Sequence, residues 1–204
     1  TEVPFAGHPN VGTAYVLASQ GTIFGNPVSD RIHFEEKAGL VEVSVSRKDT
    51  GDISATTIRA PGPLTIGASI PPEVMAPCVG LSTRDIETSR HRPTFASVGL
   101  KFILIEVKDL DALARAASRL APLTALRQEY AAEDCDCATF LYTRVGEDHL
   151  RARMFAPFDN VTEDPATGSA SAALGAFLTT LETPPDERHL LIEQGVEMGR
   201  RSFI

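Results

Sequence analysis

Val11, Tyr15, Val16 and Leu17 are spaced to lay an apolar face along one helix, with small residues beside them. Pro9 stands where a first helical turn tolerates proline, so Pro9–Ser19 is predicted as a buried helix. Beyond the breakers Gly21 and Gly25-Asn26-Pro27 the pattern changes to alternation and β-branching. Arg31–Glu35, Leu40–Ser46 and Ile53–Arg59 read as short antiparallel strands, the last two joined by a turn at Asp49-Thr50-Gly51.

Ala60-Pro61-Gly62-Pro63 is the strongest punctuation in the chain and sets a boundary between an N-terminal lobe, residues 1–62, and a C-terminal lobe, residues 63–204. Ile70-Pro71-Pro72 opens a short helix. Phe102–Val107 is a strongly apolar strand, and Asp109–Leu120 follows as an amphipathic helix with Leu110, Leu113, Ala116, Ala117 and Leu120 facing inward. A second helix, Leu123–Ala131, leads through an acidic loop to the strands Ala138–Thr143 and Leu150–Phe155, a hairpin turning at Gly146. Asp164–Leu181 repeats the character of the first helix, with Pro165 near its start and Gly168, Ser169, Ala170 and Ala173 early. Leu190–Gln194 is a final strand. A small-residue helix with strands around it is thus stated twice, which predicts an α+β chain of two similar lobes. No repeat of fixed period accompanies it.

Composition narrows the functional classes. The formal charge of −8 leaves no basic footprint for phosphate backbones or anionic membranes, so neither nucleic acid nor membrane is an expected partner. The longest apolar stretches, Phe102–Val107 and Ala170–Leu178, fall well short of the roughly 18 residues a membrane span needs, and the expected compartment is the cytoplasm. Three cysteines in no disulfide pattern agree with a reducing compartment. Cys135-x-Cys137 marks either a metal or redox site or small residues at a loop-to-strand junction. Its spacing is narrower than zinc pairs use, and no second ligand pair answers it. His33, His91, His149 and His189 are scattered without metal-ligand spacing.

Two loops carry the candidate chemistry. Pro4-Phe5-Ala6-Gly7-His8-Pro9-Asn10 places a histidine just before a helix whose first turn has free backbone N–H groups, a position ready for an anion. Gly7 lets the backbone approach a ligand closely, His8 can donate to a carboxylate or shuttle a proton, and Asn10 joins Gly7 as a substrate-binding candidate. The plainer alternative is a tight helix start. Glu163-Asp164-Pro165-Ala166-Thr167-Gly168-Ser169-Ala170 has the same build, and backbone N–H groups of Thr167, Gly168 and Ser169 can hold a carboxylate. Asp164 is the acid/base candidate, its plainer alternative being a helix N-cap. Arg144, Arg151 and Arg153 precede this loop, where one can reach a substrate anion or all can be merely solvated. Neither loop has the glycine and lysine pattern of a phosphate loop, so no nucleotide cofactor is expected.

These residues resemble the PhzF-like phenazine-biosynthesis isomerases, within the larger diaminopimelate epimerase fold. The resemblance rests on Glu2-Val3-Pro4-Phe5-Ala6-Gly7-His8-Pro9-Asn10-Val11-Gly12-Thr13-Ala14, on Gly99-Leu100-Lys101-Phe102 through Asp109-Leu110-Asp111-Ala112-Leu113-Ala114, on Glu163–Ala170 and on Gln194-Gly195-Val196-Glu197-Met198-Gly199-Arg200. It implies two lobes, each a β-barrel-like sheet around a central helix, with a small carboxylate-bearing substrate between the helix N-termini. It also implies a cofactor-independent proton shift on carbon, with no metal. By resemblance, Asp164 assists proton relay, His8 orients the substrate or passes a proton, and Ser169 with Gly168 binds a carboxylate. A homodimer is a further implication. The related amino-acid epimerases use a cysteine pair, which Ala6 and the Glu163–Ser169 loop do not offer.

Members of that family carry further strands ahead of the Gly-His-Pro loop, including a glutamate regarded as the principal acid/base, and no residue here matches it. They also continue beyond the last glycine segment. The expectation is therefore a portion of a longer chain or a lobe completed by another chain. The competing readings are a non-catalytic small-molecule-binding subunit that keeps the cleft but lacks the base, and a fragment that assembles through unpaired strand edges.

Overall fold

Small residues decide how the first helix packs. α1 spans His8–Gln20 and ends on Gly21, whose φ of +74° is the left-handed conformation that closes a helix without a Cβ penalty. The computed structural model describes residues 5–182, 187 and 189–204, so the Glu2-Val3-Pro4 start of the first motif lies outside the described residues. The buried stripe of α1 is Asn10, Ala14 and Ala18, whereas Tyr15 and Val16 stand half exposed. The expected apolar face at Val11, Tyr15 and Val16 is therefore displaced around the helix, because the alanines let the backbone come close to the sheet. Thr56 Oγ1 reaches the Val11 carbonyl at 3.2 Å.

β1 (Thr22–Ile23) and β2 (Asn26–Pro27) make a minimal hairpin after α1. β3 (Arg31–Glu36), β4 (Gly39–Arg47) and β5 (Ile53–Ile58) form an antiparallel sheet in the order β3-β4-β5. Val41, Val43 and Val45 alternate with Glu42, Ser44 and Ser46 along β4, and the three valines are buried. α1 packs on β4 and β5.

The chain divides into two compact units, Thr1–Pro63 with Val98–Leu100, and Leu64–Ser97 with Lys101–Ile204. The three returning residues have no counterpart in the boundary read from the Ala60–Pro63 cluster. Gly62 N donates to Val98 O at 3.2 Å, a contact between segments far apart in sequence.

In the larger unit, β6 (Thr65–Ser69), α2 (Pro72–Cys78), β7 (Thr94–Ser97), β8 (Lys101–Glu106), α3 (Leu110–Arg115), α4 (Leu120–Glu129), β9 (Thr139–Arg144), β10 (His149–Ala156), β11 (Val161–Asp164), α5 (Gly168–Thr180), β12 (Leu191–Gln194) and β13 (Ser202–Phe203) follow in order. The strands form one eight-stranded sheet in the order β13-β12-β10-β9-β8-β7-β6, with β11 paired to β10. Pairs β8/β9 and β10/β12 are parallel and the others antiparallel. Phe95, Ile103, Ile105, Leu141 and Phe155 meet Met75, Val79, Leu113, Leu123 and Leu126 from α2, α3, α4 and the α2 terminus in one core. Phe102, Leu104, Phe140 and Tyr142 alternate with these and are fully buried, and α5 lies against β7 and β8. Burial of these side chains at about 25 cal/mol per Å2 is the principal stabilising term for the unit.

Two predicted helices change. The Asp109–Leu120 helix stops at Arg115, leaving Leu110 and Leu120 exposed while Leu113 and Ala116 are buried. Its last carbonyls are taken by a side chain from β10: Arg153 Nη1 donates to Leu113 O, Ala114 O and Ala116 O at 2.9, 3.0 and 2.9 Å. The chain then runs extended, with Ala117 N and Arg119 N donating to Val79 O and Cys78 O. The helix expected from Asp164 begins at Gly168, because Val161–Asp164 pairs with β10 as β11.

Candidate active site

Asp164 ends β11, and its side chain is half-buried. It is not the N-cap of α5. That position is Thr167, which makes no side-chain capping bond and instead donates its hydroxyl to Asp164 Oδ2 at 2.6 Å. Gln194, fully buried at the end of β12, holds the loop from the other side. Its Nε2 donates to Asp164 O at 2.7 Å and to Thr167 Oγ1 at 2.9 Å, and its Oε1 accepts from Thr167 N at 3.1 Å. Both ends of one amide are thus committed to two residues of the loop, which fixes the acid against the helix start. Asp164 Oδ1 carries no hydrogen bond among the described residues.

The expected carboxylate cradle is reduced by one donor. Thr167 N is spent on Gln194, so Thr167, buried at 5% exposure, is a brace for Asp164 rather than a ligand-binding amide. Gly168 and Ser169 open α5, and first-turn N–H groups have no acceptor within their own helix. The first intrahelical bond of this turn runs from Ser171 N to Thr167 O at 3.0 Å. An anion bound there meets Gly168 and Ser169 and the positive end of a 13-residue helix. Gly195 keeps the loop close. Its φ is +76°, and a Cβ would sit 2.9 Å from Pro165 O, so the backbone approach there requires glycine.

In the smaller unit, Gly7 is the N-cap of α1, and its carbonyl accepts from Val11 N at 3.2 Å. His8 is the first helical residue and its side chain is exposed. Asn10 does something other than expected. Its Nδ2 donates to Ala6 O at 2.8 Å and to Glu36 Oε1 at 2.6 Å, while Ala6 N donates to Glu36 Oε2 at 3.3 Å. Both amide hydrogens are engaged, so Asn10 ties the Gly-His-Pro loop to β3 rather than offering donors to a substrate. Asn10→Ala in the full-length protein is expected to lower the unfolding free energy by about 1–2 kcal/mol, read as a lower urea midpoint at unchanged m-value.

Of the three arginines ahead of the second loop, Arg153 and Arg151 are committed to carboxylates, whereas buried Arg144 Nη2 has no hydrogen-bond partner among the described residues. Arg153 is buried and forms a two-pronged pair with Glu163, at 2.7 and 2.8 Å, besides capping α3. Arg151 pairs with Glu197 at 2.9 Å, and Arg144 Nε lies 3.3 Å from Glu106 Oε1. Farther along α5, His91 packs edge-on against Phe177, and its Nε2 lies 2.7 Å from the Tyr142 hydroxyl, which donates to Glu106 at 3.0 Å. Burial holds the His91 imidazole below its ordinary pKa and pushes the Tyr142 phenol up, which fits an uncharged imidazole and phenol under the helix.

Gln194, Gly195, Glu36 and Glu163 went unrecognised as positioning residues. Gln194-Gly195 offered one signal, a polar residue closing a strand directly before a glycine. Among the described residues no group of three or more His, Cys, Asp and Glu is placed to hold a metal ion, and no helix is long and apolar enough to cross a membrane.

An α+β chain of two units, each laying the small-residue face of one helix on a sheet, is a fold shared with several solved structures. A phenazine biosynthesis protein of the PhzF family from Bacillus anthracis matches with a TM-score of 0.77 at 24% identity, over 98% of this chain and 66% of that one. A hydroxyproline epimerase from Agrobacterium vitis matches with a TM-score of 0.60 at 16% identity, over 93% of this chain and 55% of that one. The chain belongs to the PhzC-PhzF family, described as phenazine biosynthesis-like protein, whose model matches residues 1–204. It is 36% identical to an uncharacterised isomerase of Mesorhizobium japonicum over all of this chain and 67% of that protein. It is 34% identical to the trans-2,3-dihydro-3-hydroxyanthranilate isomerase of Pseudomonas aeruginosa over 98% of this chain and 64% of that protein. The chain therefore spans about two thirds of the length of the curated relatives it matches.

Proposed function

We propose that the protein containing this chain is an isomerase that moves a proton between carbon atoms of a small carboxylate-bearing substrate by acid–base catalysis. The observation that carries this reading is the Asp164 carboxylate, one oxygen held by Thr167 and the other without a hydrogen bond among the described residues, beside the open first turn of α5. A substrate carboxylate accepts hydrogen bonds from the Gly168 and Ser169 amides, which brings the neighbouring carbon toward Asp164 Oδ1. Asp164 then takes or returns the proton as Thr167 and Gln194 keep it from turning. His8, on the exposed first turn of α1, is the acid–base candidate of the smaller unit. The names of the relatives support the isomerase class, and a dihydro-hydroxyanthranilate has the carboxylate that the reading requires.

The test is solvent isotope incorporation. The full-length protein, incubated in D2O with trans-2,3-dihydro-3-hydroxyanthranilate and with a panel of small cyclic and amino-acid-like carboxylic acids, is expected to place deuterium at a substrate carbon. Binding of one of these acids without any exchange would overturn the isomerase reading and favour the binding-subunit alternative.

A further inference from the structure

Gln194 lies outside the loop that it holds, at the end of β12, and is fully buried. Its contacts leave the side-chain amide a single orientation. Thr167 N, a donor, is 3.1 Å from one end of the amide, and Asp164 O, an acceptor, is 2.7 Å from the other. Turning the amide over would set a donor against the Thr167 N–H and an acceptor against the Asp164 carbonyl, so Oε1 faces Thr167 N and Nε2 faces Asp164 O. Nε2 has two hydrogens. One goes to Asp164 O, and the other goes to Thr167 Oγ1 at 2.9 Å.

The direction of the next hydrogen bond follows from this one. Thr167 Oγ1 receives a hydrogen from Gln194 and stands 2.6 Å from Asp164 Oδ2, its hydroxyl's one acceptor among the described residues. Its own single hydrogen therefore points at the carboxylate. A proton placed on Oδ2 as well would put two hydrogens into one 2.6 Å gap. The carboxyl proton is thereby confined to Oδ1, the oxygen with no hydrogen bond among the described residues.

We propose that Gln194 does more than brace the loop: acting through the Thr167 hydroxyl, it reserves Asp164 Oδ2 as an acceptor and selects Oδ1 as the single oxygen that takes and returns the substrate proton. The inference rests on the isomerase reading. In the first step the substrate C–H bond breaks, its electron pair stays with the substrate, and an O–H bond forms at Oδ1. In the second step that O–H bond breaks, and the proton forms a new C–H bond at another substrate carbon with the substrate's electron pair. Neither step moves the Thr167 hydrogen, so the run from amide to hydroxyl to carboxylate keeps its direction in both charge states of the acid. Gln194 itself is sealed from the substrate, and what it supplies is the choice of oxygen.

The experiment compares variants of the full-length protein with the wild type by the rate of deuterium wash-in from D2O, into trans-2,3-dihydro-3-hydroxyanthranilate and the same panel of carboxylic acids, over a range of concentrations. Thr167→Val removes the hydroxyl at nearly constant volume, and Gln194→Glu replaces the Nε2 donor by an acceptor oxygen. Each is expected to lower kcat by about 10- to 100-fold, the scale of a misplaced reacting group. KM is expected to stay within about twofold, because the Gly168 and Ser169 amides that hold the substrate carboxylate are retained. The two changes combined are expected to be no slower than either alone, since both break one chain of hydrogen bonds. Thr167→Ser, which keeps the hydroxyl, is expected to recover most of the loss seen in Thr167→Val, and this pair decides the matter if Gln194→Glu does not fold. A loss confined to KM, multiplied losses in the double variant, or no recovery in Thr167→Ser would overturn the selection of one oxygen by Gln194 while leaving the isomerase reading in place. A folded wild type without wash-in would overturn that reading and this inference with it.

Discussion

Arg153→Met is expected to cost the full-length protein about 3–5 kcal/mol of unfolding free energy, the range measured when one partner of a buried ion pair is removed. The side chain is 8% exposed and has two sets of partners. Its Nε and Nη2 hold both oxygens of Glu163, and its Nη1 donates to three carbonyls at the end of α3, of which only Leu113 O also accepts from a backbone N–H, that of Ala116. Methionine fills much of the volume but satisfies none of them, so a carboxylate and a helix terminus are stranded out of water. Removing both charges, as in Arg153→Met with Glu163→Leu, is expected to recover part of the loss, because the uncompensated carboxylate is gone while the carbonyls remain. Guanidinium unfolding of the two variants measures the difference. A shift below about 1 kcal/mol for Arg153→Met would return this arginine to the pool of substrate-binding candidates.

Asp164→Asn separates chemistry from folding. The amide oxygen of asparagine still accepts the Thr167 hydroxyl, and the backbone oxygen still accepts from Gln194, so the loop is expected to keep its shape with a stability change under about 1 kcal/mol. An amide cannot take a proton from carbon. The deuterium wash-in rate is therefore expected to fall by about 10²- to 10⁴-fold, the usual contribution of a positioned general base. Thermal unfolding run beside the exchange assay distinguishes the two effects. Normal exchange in a folded Asp164→Asn protein would remove this residue from the catalytic mechanism.

Local pattern revealed those parts of the fold that local physics determines. Val41, Val43 and Val45 alternate with polar residues because one face of a small sheet is covered, and that alternation is visible across Val41–Ser46. The end of α3 was not visible, because helical spacing continues through Ala116, Ala117 and Leu120. What stops the helix is an arginine nearly forty residues away in sequence. The site loops divide the same way. Gly7, His8, Gly168 and Ser169 sit at helix starts, where proline and glycine announce them. The partners that turn Asn10 and Thr167 inward, Glu36 and Gln194, are 26 and 27 residues distant. Asp164 before a proline looks like a cap until β11 pairs with β10 and carries it one turn short of the helix.

Glu163 and Asp164 are neighbours on β11, and successive side chains of a strand leave opposite faces. Glu163 is thereby committed to Arg153 and the end of α3, and Asp164 to Thr167 and the start of α5. In a library that randomises this loop, selection for soluble, folded protein is expected to recover Glu163, and selection for the proposed proton transfer to recover Asp164 as well. Adjacent letters of the sequence are then expected to answer to different selective pressures, and a screen that sorts first on folding and then on turnover would separate them.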